Sequence, residues 1–440
     1  MSQKVHIETY GCQMNVADTE VVAAILKTVG YDFTESPEEA DVLLINTCSV
    51  RDNAEKRVIG RIENLQALRR KNGNPAIIGV LGCMAERVKE RLLTEYGVDL
   101  VAGPDAYSDL PNMLSDVESG HKAINITLSK EETYRDVIPL KLPGLHISGF
   151  VSIMRGCDEF CSYCIVPFTR GRERSREPES IYREIEHMRE VGYREVTLLG
   201  QKVNGYHYIG KDGAEVDFPD LLVAIHRIAP EMRIRFTSPH PIDMSDKLIH
   251  TMATYPKICA HIHLPVQSGS NAVLERMKRG YTREWYIDRV ATLRKSIPHC
   301  GISTDIFCGF CGETEEDHAD TLRLMEEIRF DSAFLFKYSE RPSTYAARHY
   351  PDDVPESVKL RRLEELIALQ NRLSLASNEA DIGKTFEVLV EGVSKKSRDE
   401  YFGRTVTNKV VVFPKAQARI GSFVNVRIKS ATQATLLGEI

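Results

Sequence analysis

The sequence has no run of about eighteen apolar residues, so it encodes no obvious membrane-spanning helix. Its opening, Met1-Ser2-Gln3-Lys4-Val5-His6-Ile7, enters a strand-like alternation and lacks the features of a secretory signal. A cytoplasmic location is therefore expected. In that reducing setting the ten cysteines do not build a disulfide framework, and they point to metal or redox chemistry. No excess of positive charge is present either: 57 Lys and Arg face 63 Asp and Glu, for a net charge of -6. A nucleic-acid partner is thus not announced by overall charge. No long heptad or exposed apolar stripe demands a second subunit, and a monomer is expected. With 440 residues, 42% hydrophobic and 27% charged, the chain is a globular protein of two or three domains.

The densest chemistry lies in Cys157-Asp158-Glu159-Phe160-Cys161-Ser162-Tyr163-Cys164. Structural zinc wants four protein ligands in paired motifs, and this CxxxCxxC has no fourth partner nearby. Three thiolates on a cubane of four irons leave one iron open to an exogenous ligand, which can receive an electron at low potential. With aromatic Tyr163 before the last cysteine, the motif resembles the radical S-adenosylmethionine (SAM) superfamily. There the open iron chelates SAM, which is cleaved reductively to a 5′-deoxyadenosyl radical.

Residues 4 to 115 alternate apolar runs with helical stretches, as a parallel α/β sheet does. Strands are expected at Lys4–Gly11, Asp41–Thr47, Ala76–Gly82 and Val98–Gly103. Cys12, Cys48 and Cys83 directly follow the first three. Parallel strands place their C-terminal ends on one edge, where such sheets bind ligands, so the three cysteines converge as a second three-thiolate site.

Residues 117–148 lack clear periodicity, contain Pro139, Pro143 and Gly144, and read as a connection. From 149 to 375, strand-like runs at Gly149–Gly156, Glu195–Gly200, Met232–Ser238, Ala260–Gln267, Gly301–Gly309 and Asp331–Ser339 alternate with helical patterns. These predict an open (β/α)6 relative of the eight-unit barrel. Candidate ligand contacts gather past its strand ends: Gln201, Asn204, Ser238, His240, Gln267 and Ser268, with Tyr163. Arg170, Arg172, Arg174 and Arg176 alternate just after the cysteine loop, where guanidinium groups suit RNA phosphates, the other reading being a solvated run paired with Glu173 and Glu177. Cys308 and Cys311 have CxxC spacing without a second pair and read as incidental.

A long charged helix, Val354 to about Glu379, leads to a tail, 376–440, of five short strand-like runs. From Lys384 onward ten Lys or Arg meet five Asp or Glu, so this part is +5 and the remainder -11. A small OB-like β-barrel with Tyr401, Phe402, Phe423, Arg404 and Lys409 on strands and turns fits RNA binding.

Two open clusters, one feeding a radical generator, suit functionalisation of an unactivated C–H bond, with the second cluster as sulfur donor. Glu8-Thr-Tyr-Gly-Cys-Gln-Met-Asn15, Asn46-Thr-Cys-Ser-Val-Arg51, Leu81-Gly-Cys-Met84 and the run Arg155 to Gly171 together resemble the radical SAM methylthiotransferases over essentially the whole chain. The resemblance implies a methylthiotransferase domain at 1–116, a radical SAM core at 149–375 and a TRAM domain at 376–440. It assigns Cys12, Cys48 and Cys83 to an auxiliary 4Fe-4S cluster, and Cys157, Cys161 and Cys164 to the one that cleaves SAM. It further implies two SAM per turnover, one as methyl donor and one as radical source, and a reducing electron donor. The stretches Pro167 to Arg176 and Gly403 to Phe413 are most similar to the branch that acts on carbon 2 of N(6)-dimethylallyladenosine at tRNA position 37. Sister branches act on threonylcarbamoyl-adenosine or a ribosomal-protein aspartate, and a non-catalytic RNA-binding redox switch is the alternative outside enzymes.

Overall fold

The computed structural model describes residues 2–440 except Val50, Arg51, Arg135 and 142–146. Val50 and Arg51 of the second cysteine motif, and Pro143 and Gly144 of the expected connection, thus lie outside the described residues. Six parallel strands form the N-terminal sheet, in the order Asp32–Phe33, Lys4–Tyr10, Val42–Thr47, Ile77–Gly82, Leu100–Ala102 and Ala123–Asn125. Val42–Thr47 and Ile77–Gly82 are buried along their whole length, because a central parallel strand is covered on both faces. Two separate apolar cores fill those faces. The edge strands Asp32–Phe33 and Ala123–Asn125 were not expected from the sequence. At two and three residues they are too short to show a period, and the second joins the sheet from within the supposed connection.

The central region contains two three-stranded parallel sheets. Ser148–Ser152, Glu195–Leu199 and Arg233–Phe236 form one, and His261–His263, Gly301–Cys308 and Ser332–Lys337 the other. A single parallel bridge, Ile234 to Ile258, joins them into an open arc. Helices including Pro178–Glu190, Phe218–Ile228, Arg283–Ser296 and Glu315–Ile328 pack outside it around the largest core. The fourth strand stops at His263 instead of reaching Gln267. Pro265 has no N–H to donate, and pairing resumes only at an isolated Gln267–Ile306 bridge.

Helix Glu356–Glu379 leads out of the arc, so the expected boundary at residue 376 falls in its last turn. Five strands then close into a barrel: Thr385–Val393, Glu400–Arg404, Val410–Pro414, Leu436–Glu439 and Phe423–Ala431. This barrel seats on the N-terminal ends of the central strands. Arg233, whose side chain is fully buried, donates to the carbonyls of Arg404 and Glu387, both at 2.8 Å, and its guanidinium lies 4.7 Å from the Phe423 ring centroid. Arg235 donates to the Thr405 carbonyl at 2.8 Å. Phe423 is therefore engaged at a domain contact and is not offered to RNA. No helix among the described residues is long and apolar enough to cross a membrane.

Arg233→Ala would remove both of these charge-assisted hydrogen bonds to the Arg404 and Glu387 carbonyls and uncap Phe423. We expect a loss of about 1.5–3 kcal/mol for each bond. Limited proteolysis near residues 376–385 should release the C-terminal barrel from the variant before the central domain is cut; equal resistance of both proteins would refute this docking role.

Candidate functional site

Cys12 caps helix Gln13–Thr28, Cys48 follows Val42–Thr47, and Cys83 begins helix Cys83–Val88. Their strand ends are cross-braced. Asn15 Nδ2 donates to Asn46 Oδ1 at 3.1 Å and to the Thr47 carbonyl at 2.9 Å, while Asn46 Nδ2 donates back to the Asn15 carbonyl at 3.0 Å. Gly82, with φ of 88°, makes the sharp turn into Cys83, and a Cβ there would lie 2.7 Å from the Thr47 carbonyl. Cys48 and Cys83 are buried, and Cys12 lies at the exposed rim. Hydrogen bonding with Cys48, and then the nearby Arg170 charge, lowers the Cys12 thiol to about 6 despite burial of the sulfur. Burial instead raises Cys83, although Arg170 Nε is 3.2 Å from its sulfur.

The second triad lies on the loop after Met154–Arg155. Gly156, at φ 78°, approaches the Arg172 carbonyl so closely that a Cβ would stand 1.9 Å from it. Its N–H donates to Gln201 Oε1 at 2.6 Å. Ser162 anchors the loop through its N–H to the Met277 carbonyl at 3.0 Å, and accepts from Ala346 N at 2.7 Å. Burial pushes the Cys157 and Cys164 thiols up to about 12. Ligation requires thiolates, so a bound metal centre is what would hold them ionised.

Among the described residues, the only potential metal-binding group with its ligand atoms within 4.8 Å of one another is Glu159, His240 and Asp243. Lys202 Nζ already neutralises those acids, 2.8 Å from Glu159 and 3.2 Å from Asp243. Each cysteine triad offers three thiolates, a donor set that suits an iron-sulfur cluster with one open iron better than a closed four-ligand zinc site.

Asp18, Arg155 and Arg170 join the two triads. Asp18 is 0% exposed; Oδ1 lies 2.7 Å from Arg155 Nη1, and Oδ2 lies 2.7 Å from Arg170 Nη2. Burial acts to raise its pKa, but the two guanidiniums bring the carboxyl below its ordinary value. Arg155 precedes the second triad's loop, Arg170 follows it, and Arg170 also reaches Cys83. Sequence reasoning missed Asp18 and Arg155 as site residues. It also missed Arg279, buried, with Nη1 3.2 Å from Cys161 Sγ and 3.4 Å from the Tyr163 hydroxyl.

The arginine run is corrected. Arg170, Arg174 and Arg176 are buried and do not face RNA: Arg174 forks onto Asp105 at 2.9 and 3.1 Å, and Arg176 meets Glu184 at 2.5 Å. Their partners are not Glu173 and Glu177, so the solvated-run reading fails as well. Arg174 lies in the short Arg174–Ser175 ladder with Met154–Arg155, while Arg170 ends helix Val166–Arg170, and each is turned inward onto a buried carboxylate. Arg172 alone stays exposed, 3.3 Å from Asp158. Lys409 is also turned inward, 2.7 Å from Asp381, whereas Arg404 remains half exposed near Glu391 at 3.6 Å.

The strand-end residues divide by what they already hold. Asn204 clamps His240 through both of that residue's backbone groups, at 2.7 and 2.9 Å. Ser268 is fully buried and bonds Thr321 and Ser270, so it braces a helix and does not face a ligand. Gln201 holds Gly156. Tyr163 packs on Phe307, with centroids 5.2 Å apart. Ser238, half-buried at φ 62°, and Gln267, at φ 72°, sit on left-handed bends. His240 Nε2 and Gln267 Oε1 are buried without a partner, and burial, then Arg279, lowers His240 to about 2, so its ring stays neutral. Cys308 and Cys311 are buried in different apolar clusters.

Three family patterns match the chain: Uncharacterized protein family UPF0004 over residues 4–103, the Radical SAM superfamily over 151–325 and the TRAM domain over 379–440. A tRNA-2-methylthio-N(6)-dimethylallyladenosine synthase of Porphyromonas gingivalis is 62% identical over 440 residues, covering 100% of this chain and 95% of the relative. Proteins of the same name from Parabacteroides distasonis and Bacteroides thetaiotaomicron are 61% and 60% identical over 437 and 438 residues, with 99% and 100% of this chain and 95% and 96% of the relatives covered. Among solved structures, the radical S-adenosylmethionine methyltransferase TsrM from Kitasatospora setae, with cobalamin and a [4Fe-4S] cluster bound, superposes at TM-score 0.59. It is 15% identical and covers 79% of this chain and 77% of that one, a likeness of fold. Fold and cysteine loop define an iron-sulfur enzyme of the radical SAM class. Within that class, the chain belongs to the family of the tRNA-2-methylthio-N(6)-dimethylallyladenosine synthases.

Asp18→Asn should leave two buried guanidiniums sharing a neutral amide. Breaking such a pair costs about 3–5 kcal/mol. A lowered urea midpoint is therefore expected; an unchanged midpoint would show that the hub contributes nothing to stability.

Proposed function

We propose that this protein installs a methylthio group on carbon 2 of N(6)-dimethylallyladenosine at tRNA position 37, with one SAM as methyl donor and a second as radical source. Two convergent three-cysteine sets carry the reading, held in one frame by Asp18, in a chain whose full-length relatives bear that activity's name. Cys12, Cys48 and Cys83 would hold the auxiliary 4Fe-4S cluster, and Cys157, Cys161 and Cys164 the other. When bound, the clusters and SAM supply the sulfur, the methyl group and the hydrogen-abstracting radical.

The chain's own side chains bind and orient. His240, kept neutral and accepting from Ile242 N–H through Nδ1, donates a hydrogen bond from Nε2–H to a bound ligand, while Gln267 Oε1 accepts one, since both atoms are buried with nothing else to pair with. Tyr163 stiffens the loop against Phe307. Arg279 donates to Cys161 and the Pro265 carbonyl, and so ties the loop to the Gln267 bend. Arg172 and Arg404 remain for RNA phosphates, together with the +5 tail. The reading includes a division into 1–116, 149–375 and 376–440, a cytoplasmic monomer, and an external electron donor.

Expression in a host lacking its own methylthiolation enzyme, followed by mass spectrometry of digested tRNA, should reveal 2-methylthio-dimethylallyladenosine. A methylthiolated threonylcarbamoyl nucleoside or ribosomal aspartate would move the substrate and keep the chemistry. No product in any of these pools would favour an RNA-binding redox protein. The triads should also separate: Cys83→Ala keeps reductive release of 5′-deoxyadenosine but makes no methylthio product, whereas Cys157→Ala loses both. Loss of 5′-deoxyadenosine from the Cys83 variant would contradict the division of labour.

A further inference from the structure

Against the Cys157–Cys164 loop lies a cleft of about 260 Å³ lined by Cys161 and Cys164. Its remaining lining is aromatic and cationic. Phe160, Phe168 and Tyr345 are 39%, 39% and 38% exposed, Tyr345 being stacked on His349, also in the lining, with centroids 4.0 Å apart. Each ring has a cation near its face. Arg172 Cζ is 4.7 Å from the Phe160 centroid, Arg348 Cζ is 5.8 Å from that of Phe168, and Lys278 Nζ is 3.3 Å from that of Tyr345. The backbone is strained to present them: Phe160 has φ 47° and Ser343, also lining the cleft, has φ 73°, a region unfavourable for residues with side chains and most so for a bulky one. Among the described residues no carboxylate pairs with Lys278 or Arg348, and the Arg348 guanidinium donates only to the Ser343 carbonyl.

We propose that this cleft receives the base of the RNA nucleotide next to the reacting adenosine, an inference that rests on the RNA substrate proposed above. A base that undergoes chemistry at a ring carbon must leave its stack, and its neighbour then loses a stacking partner. Exposed aromatic rings supply a replacement that tolerates any base, and flexible Lys and Arg shift from the ring faces to the flanking phosphates or stack as guanidinium planes. The position fits, because Cys161 and Cys164 place the cleft beside the reaction centre. The combination of rings and cations favours RNA over an acidic electron-carrier protein, because a nucleotide offers a flat base to the rings and a phosphate to the cations, where a carrier's carboxylates would answer only the cations.

The test titrates the holoenzyme with anticodon stem-loop RNAs carrying 2-aminopurine on either side of the substrate adenosine. Wild type should quench one of the two probes. Phe168→Ala and Tyr345→Ala should each weaken binding ~10-fold and restore that probe's fluorescence. Tyr345→Trp should retain quenching and Tyr345→Leu should not, with unchanged iron content showing that each variant still folds around its clusters. Unaltered affinity and quenching in the alanine variants would overturn the proposal, including the case in which only reduction by an acidic protein carrier slows. Failure of wild type to bind the stem-loop at all would instead defeat the RNA substrate reading on which the proposal rests.

Discussion

A carboxylate with no access to water holds the two halves of this site in register. Asp18 belongs to the N-terminal sheet domain, while Arg155 and Arg170 bracket the cysteine loop of the central domain, and Arg170 continues to Cys83. In a low-dielectric interior such a triad has few alternative arrangements, because displacing any member strands a buried charge. Its contribution is thus positional more than energetic. Chemistry that passes a group between two separately bound centres depends on their spacing, and here the spacing is transmitted through one side chain from each of two short segments.

The interface repeats this device. Arg174 reaches from the central domain to Asp105 of the N-terminal domain, and Arg176 braces the Pro178–Glu190 helix through Glu184 and Ser180. The alternating arginines that look like an RNA-facing comb in the sequence are therefore a zipper turned inward. Arg172 lies in the bend before the Arg174–Ser175 ladder, outside the strand, and is the one left exposed.

The features legible in the sequence were those with local causes. Cysteines placed directly after apolar strands converge because parallel topology aligns strand ends, and the barrel and its appended small β-barrel followed from alternation and turns. What escaped was set by partners distant in the chain. Nothing local to Arg170 tells that a carboxylate 152 residues earlier awaits it, and Lys409 reads as a free cation until Asp381 is brought beside it. Ser268 and His240 carry similar polar signals at equivalent strand ends. Only the three-dimensional hydrogen-bond inventory separates the serine already engaged from the histidine with an open nitrogen.

The seat of the C-terminal barrel gives the molecule a built-in measure of length. Arg233 and Arg235 hold that barrel at the beginnings of the central strands, whereas the cysteine loop follows their ends. Along the longest strand, Gly301–Cys308, this offset is roughly 25 Å at about 3.3 Å per residue. A free nucleoside or a trinucleotide cannot occupy both ends at once. A folded stem-loop can, so discrimination by reach is available to this architecture before any base edge is read.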